Sequence, residues 1–150
     1  MDAVTYPDAK VAAFINEKLI PLRISYDKKP LSDDFNIKWT PTLIILDEKG
    51  VEHRRTVGFL APDELIPSSL LGIGKLRLDK NQFEDALSAF EEILGYYPGS
   101  SSAPEAVYMR GVCRYKIEKD PKGLKEAYEK LEADFPTSEW TKRAYPYRLL

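Results

Sequence analysis

Tyr97-Pro98-Gly99-Ser100 recurs 38 residues later as Phe135-Pro136-Thr137-Ser138, and Ala106 recurs at the same interval as Ala144. An aromatic residue, a proline and a small polar residue together make a strong stop. Proline has no amide hydrogen to continue a helix and its ring crowds the preceding turn. Working back from the first stop, Leu70, Gly74, Phe83, Ala86 and Phe90 fall at helical spacing on two segments. Asp79-Lys80-Asn81 makes the turn between them. Gly74 lets the second helix approach closely, Ala86 is the small residue at the crossing, and Phe90 fills the space between the helices. Working forward, Ala106, Gly111, Tyr115, Leu124, Tyr128, Leu131 and Pro136 repeat the plan. The chain from residue 67 to 150 therefore reads as two helical hairpins plus the first helix of a third, Ser138 to Leu150.

This pattern resembles the tetratricopeptide repeat. The interval of 38 exceeds the family's usual length of about 34, with extra residues at Gly99–Pro104 and Glu118–Lys122. The Tyr-Pro-x-Ser stop and the Ala-Pro lead-in are similar to those of bacterial cell-envelope proteins, the Tol-Pal accessory and outer-membrane-assembly lipoproteins. Leu124 stands where the family usually has a small alanine, so looser or shifted packing is expected in the second unit. The resemblance implies a concave ligand surface on the first helices, carried by Leu71, Lys75, Leu78, Tyr108, Val112, Tyr115 and Lys116. Of these, Lys75, Tyr108, Tyr115 and Lys116 are the expected peptide contacts, and Leu71, Leu78 and Val112 are expected to pack between repeats. Tyr145, Tyr147, Leu149 and Leu150 place an apolar edge at the end of the chain. An open solenoid end invites self-association, so a homodimer is one expected state.

Ahead of the repeats the periodicity changes. Val11, Phe14, Ile15 and Leu19 are spaced as one face of a helix over Asp8 to Ile20, closed by Pro21. Leu22, Ile24 and Tyr26 alternate with Arg23 and Ser25, the period of a strand. Asp27 to Asp34 reads as a loop, and Ser32 as the cap of a short turn through Phe35 and Ile37. Leu43 to Leu46 is a continuous apolar strand, Asp47-Glu48-Lys49-Gly50 a tight turn, and Val51 to Phe59 an antiparallel return. Ala61-Pro62-Asp63-Glu64-Leu65 starts a helix, with proline early and acids in the first turn.

That order, with Trp39-Thr40-Pro41 opening a buried strand, resembles a thioredoxin-like fold over roughly residues 1–66. The resemblance implies a cis bond at Thr40-Pro41 and a peptide-contacting loop at Trp39, Thr40 and Pro41. The strand and Cys-x-x-Cys that precede this part in the family have no counterpart here, and the only cysteine, Cys113, lies far downstream. The fold class expected is thus a truncated α/β thioredoxin-like part, residues 1–66, followed by all-α tetratricopeptide hairpins, residues 67–150, joined stiffly through one shared helix. The missing strand would lie between Leu22–Tyr26 and Leu43–Leu46. Direct pairing of those two, a strand from another copy, or a fragment whose start lies inside the first helix would each account for it; the fragment is the favoured origin, with direct pairing or a strand from another copy as its expected physical consequence.

Composition narrows the function. Nine basic and eleven acidic residues precede Pro67 and thirteen of each follow it, which gives neither half the basic excess of a nucleic-acid binder. No apolar stretch approaches the roughly 20 residues that cross a bilayer. One cysteine and one histidine exclude an internal disulfide, a thiolate metal cluster and a His-pair metal site. Glu52-His53-Arg54-Arg55 reads as an exposed strand face, Cys113 as a small buried hydrophobe, and Asp33-Asp34 and Glu91-Glu92 as solvated charges. No cofactor, metal or catalytic residue is expected. The function expected is non-catalytic protein or peptide binding. The alternative is a fragment of a thiol-disulfide oxidoreductase whose dithiol lies upstream. The resemblance points to a bacterial protein and leaves cytoplasm and periplasm equally open.

Overall fold

Asp8 opens the first helix as expected. Its carboxylate accepts hydrogen bonds from the amides of Lys10 and Val11 at 2.9 and 3.1 Å, two of the donors a helix start leaves without partners. The computed structural model describes residues 1–150 and runs α1 (Ala9–Lys18), α2 (Leu31–Asp34), β1 (Thr42–Leu46), β2 (Glu52–Val57), α3 (Pro62–Asp79), α4 (Phe83–Tyr96), α5 (Ala103–Glu118), α6 (Lys122–Asp134) and α7 (Glu139–Ala144). A 3-10 turn, Tyr145–Leu149, closes it. The architecture is a row of helical hairpins with a small antiparallel sheet at one end.

The N-terminal part departs from the sequence reading in several places. The strand expected at Leu22–Tyr26 does not form, and β1 pairs with β2 alone. Direct pairing of the two segments in a contracted sheet is therefore ruled out. Alternation gave Leu22–Tyr26 a strand's pattern, but a strand exists only where a neighbour takes its backbone hydrogen bonds. Ser32 is the second departure. Pro30 occupies the cap position of α2, and Ser32 lies buried inside the helix with its hydroxyl unpartnered. The peptide bonds Lys29-Pro30 and Thr40-Pro41 are both cis.

The ladder between the strands slips between Ile45 and Leu46: Ile45 faces Arg54, and Leu46 faces Glu52. His53 is the extra residue, and a bulge re-aims its side chain. Arg54 and Thr56 already face α3, and the bulge brings His53 to that same side. The sole histidine is therefore not on an exposed strand face. Its side chain is 5% exposed, with Nδ1 2.8 Å from Asp79 at the end of α3 and Nε2 3.5 Å from Asp47 in the hairpin turn. Lys80 reaches Glu48 beside it, so the turn is fastened to the α3 terminus by two polar contacts.

In the helical part, α3 continues through Pro67, which is buried, and contributes to both ends of the molecule. The main core joins Val11 and Phe14 of α1 to Leu65, Leu70 and Leu71 of α3, Phe90 and Ile93 of α4, and Ala106 and Cys113 of α5. Asn81 and Lys119 end the first helix of each hairpin in the left-handed region, at φ 59° and 58°. Asparagine tolerates that geometry better than other side chains. The second hairpin is shifted, not loosely packed. A Cβ added to Gly111 would lie 2.6 Å from Ala127 Cβ and 2.8 Å from the carbonyl oxygen of Gly123. Gly123, one residue before Leu124, occupies the crossing, so the leucine never has to fit there.

Candidate peptide-binding groove

The first helices of the hairpins are α3, α5 and α7, and the sequence places a ligand surface on them. On α3 that surface is already occupied. Ser68, Gly72, Lys75 and Asp79 recur at steps of four, three and four, which is one helix face. The hairpin sits on it so closely that a Cβ at Gly72 would come within 2.7 Å of Ile45 Cγ1. Arg54 Nε donates to Ser68 Oγ at 3.1 Å, and Thr56 Oγ1 shares a hydrogen bond with the same hydroxyl. Arg54 Nη1 also reaches Glu105 on α5 at 3.4 Å, and Lys75 Nζ donates to the other oxygen of that carboxylate at 3.0 Å. One buried carboxylate thus takes two cations and ties the sheet, α3 and α5 together. Lys75 is spent on the molecule's own architecture.

Tyr108 is also engaged internally. Its hydroxyl lies 2.8 Å from that of Tyr147, and its ring packs against Tyr147 and Trp140 at centroid distances of 5.8 and 5.3 Å. Burial and the bond from Tyr108 push the Tyr147 phenol up to about 12. Arg143 stacks over Trp140 at 4.8 Å. The aromatic residues at the chain end therefore fold inward in part, while Tyr145, Leu149 and Leu150 stay exposed. Two turns along α5 from Tyr108 lie Tyr115 and Lys116, both exposed and without a side-chain partner within hydrogen-bond distance. The four residues proposed from sequence thus divide: Lys75 and Tyr108 face neighbouring elements, and Tyr115 and Lys116 face solvent.

Arg54, Glu105 and Tyr147 were not legible as parts of this surface. Glu105 reads locally as an ordinary acid in the first turn of a helix. Its partners lie 51 and 30 residues away, and no local spacing carries that information.

The Trp39 loop lies apart from the groove. Trp39 is 75% exposed and borders an open cleft of about 220 Å³, together with Tyr26, Ile37, Lys38 and Thr40. Thr42 Oγ1 donates to the Trp39 carbonyl at 2.6 Å, and the Pro41 carbonyl accepts from the Gly58 amide at 2.8 Å. The loop is therefore held from both sides, with its indole free.

Cys113 is fully buried in the main core, and burial pushes its thiol up to about 12. Only the thiolate reacts with alkylating and disulfide reagents. Labelling of native protein with a chromogenic disulfide at pH 8 is expected to be at least about 100-fold slower than labelling in denaturant. Equal rates would show that α5 opens readily.

The tetratricopeptide repeat model matches residues 68–100 and 105–138, the two hairpins α3–α4 and α5–α6. These segments form two tetratricopeptide repeats. No curated protein and no solved structure matches the chain. No helix is long and apolar enough to cross a membrane.

Proposed function

We propose that this chain is a non-catalytic interaction protein whose repeats hold a peptide or protein ligand on α5, around Tyr115 and Lys116. The observation that carries the reading is the division of the repeat surface. The hairpin covers α3, the closing 3-10 turn lies against Tyr108, and a tyrosine and a lysine remain open on the intervening helix. Repeats of this kind serve as protein-binding scaffolds, and an exposed aromatic beside a cation suits a ligand that presents an apolar side chain and a carboxylate. In the same reading residues 1–66 are a thioredoxin-like module without redox cysteines. The order of helix, extended segment, Thr-Pro and antiparallel hairpin supports it, and Trp39, Thr40 and Pro41 form a second, smaller peptide contact.

The test is selection of displayed twelve-residue peptides on the folded protein, followed by titration against variants. Tyr115→Ala and Lys116→Glu are each expected to weaken a selected peptide by about 1–2 kcal/mol, roughly tenfold. Trp39→Ala should leave that peptide unaffected. Peptides that bind equally well to both α5 variants would sink the proposal.

A further inference from the structure

The imidazole of His53 is held between two carboxylates from different elements. Asp79, the last residue of α3, lies 2.8 Å from Nδ1, and Asp47, in the hairpin turn, lies 3.5 Å from Nε2. The side of the ring that faces Asp47 is shut off from solvent. The side chains of His53 and Asp47 are 5 and 7% exposed, and Nε2 is buried without a hydrogen-bond partner. Asp47 Oδ1 is already used, accepting from the amides of Lys49 and Val51 at 2.9 and 2.8 Å. Its Oδ2 faces the ring.

A neutral imidazole carries one N–H and one bare nitrogen. Either tautomer turns a lone pair toward a carboxylate, and one of the two acceptors goes without a donor. Only the imidazolium, with an N–H on each nitrogen, offers a donor to both. The α3 terminus acts in the same direction, because the free carbonyls of a last helical turn favour a cation. The neighbouring cations have other partners. Lys80 pairs with Glu48 and Arg55 with Glu52, while Arg54 and Lys75 both pair with Glu105. Asp47 and Asp79 are left as the two anions that face the ring.

We propose that His53 is a pH-operated latch: its imidazolium fastens the hairpin turn to the end of α3, and loss of that proton loosens the turn end of the hairpin. These contacts favour proton binding in the latched form. The latch therefore weakens as pH rises through the range in which histidine changes charge, about pH 5 to 8. The acid limit has the opposite sign. The Val51 amide, followed by the Lys49 amide and His53, holds the Asp47 carboxyl below its usual range. That contribution is present above the carboxyl's unfolded value and is lost as pH falls through the lowered one. The latch is tightest at about pH 5–6, between the two limits. A two-stranded hairpin is marginal by itself, so a turn released from α3 frays. The latch shares no residue with Tyr115 and Lys116 and is independent of the ligand proposed there.

Amide exchange of the full chain is followed by NMR, with each rate divided by the free-chain rate at the same pH. Protection of the Asp47 and Val51 amides, which close the turn, is expected to fall at least about tenfold between about pH 5.5 and about pH 8. His53 is the only histidine, so His53→Gln, which cannot gain a charge, is expected to flatten the profile. Should that variant fail to fold, Asp79→Asn removes one carboxylate at a position 62% exposed. It is expected to cut the fall to less than about threefold. Ring nitrogen chemical shifts are expected to show a proton on both nitrogens at about pH 5.5. Protection that stays level over this range, or that falls equally in His53→Gln, would overturn the proposal. A ring with one bare nitrogen at about pH 5.5 would do the same.

Discussion

Phe90→Ala is expected to lower the unfolding free energy by about 4 kcal/mol, the range for truncating a fully buried aromatic side chain. Phe90 has no exposed surface and lies in the cluster that joins α1, α3, α4 and α5. For a chain of this length that loss corresponds to a fall of about 10 °C in Tm, read by circular dichroism or calorimetry. The neighbouring glycine supplies a sharper test. A Cβ on Gly74 would lie 2.4 Å from Phe90 Cε1. Gly74→Ala should therefore destabilise the parent, because the ring is buried and has nowhere to go. In the Phe90→Ala background the same substitution should stabilise by about 1 kcal/mol, since the clash is gone and alanine is the better helix former. A double-mutant cycle that shows simple additivity would mean that α3 and α4 do not close on each other there.

Gly111→Leu is expected to cost about 3 kcal/mol, at the upper end for overpacking a tight site. The obstruction at Gly111 is different in kind from that at Gly74. One of the atoms in the way is the Gly123 carbonyl oxygen, part of the α6 backbone, and cannot rotate aside as a flexible side chain can. The helices must separate, and the cluster of Val107, Ala127, Tyr128, Leu131 and Ala144 loses contact with them. Gly95→Ala is the control. It lies within α4, no atom lies within 4 Å of an added Cβ, and a gain of about 0.5–1 kcal/mol is expected from helix propensity. Urea titration of the two variants gives both values. A Gly111→Leu protein as stable as the parent would show that α5 and α6 are not in close contact.

Much of the helical half could be read from residues alone. The recurrence of Tyr97-Pro98 as Phe135-Pro136 marked the stops, and Gly74 and Gly111 marked the close approaches, because each signal is local. Helix ends and small residues at crossings depend on the chemistry of a few neighbouring positions. The limit of local reading shows at Leu124. A pattern aligned on the stops put leucine at the crossing, whereas the structure uses Gly123, and a one-residue shift turns a helix by about 100°.

The N-terminal part was less legible. Alternation at Leu22, Ile24 and Tyr26 is the mark of a strand, as is the continuous apolar run Leu43–Leu46, yet only the second became one. A strand is nonetheless a relation between two segments, and its partner is not encoded in its own residues. His53 makes the same point. Its neighbours Glu52, Arg54 and Arg55 are those of a solvated strand, and a bulge, set by the pairing of β2 with β1, turns it into the α3 interface.

The candidate groove divides along the same line. The sequence by itself determined which helix faces exist, where they stop, and that Lys75, Tyr108, Tyr115 and Lys116 lie along them, because a 3.6-residue period maps residue number onto direction. Only the tertiary structure decided which of these are free. Lys75 is taken by a carboxylate 30 residues away and Tyr108 by a phenol 39 residues away, leaving Tyr115 and Lys116 open. Contacts at that separation are set by how the hairpins and the sheet pack against one another, and no periodicity within a single segment reports them.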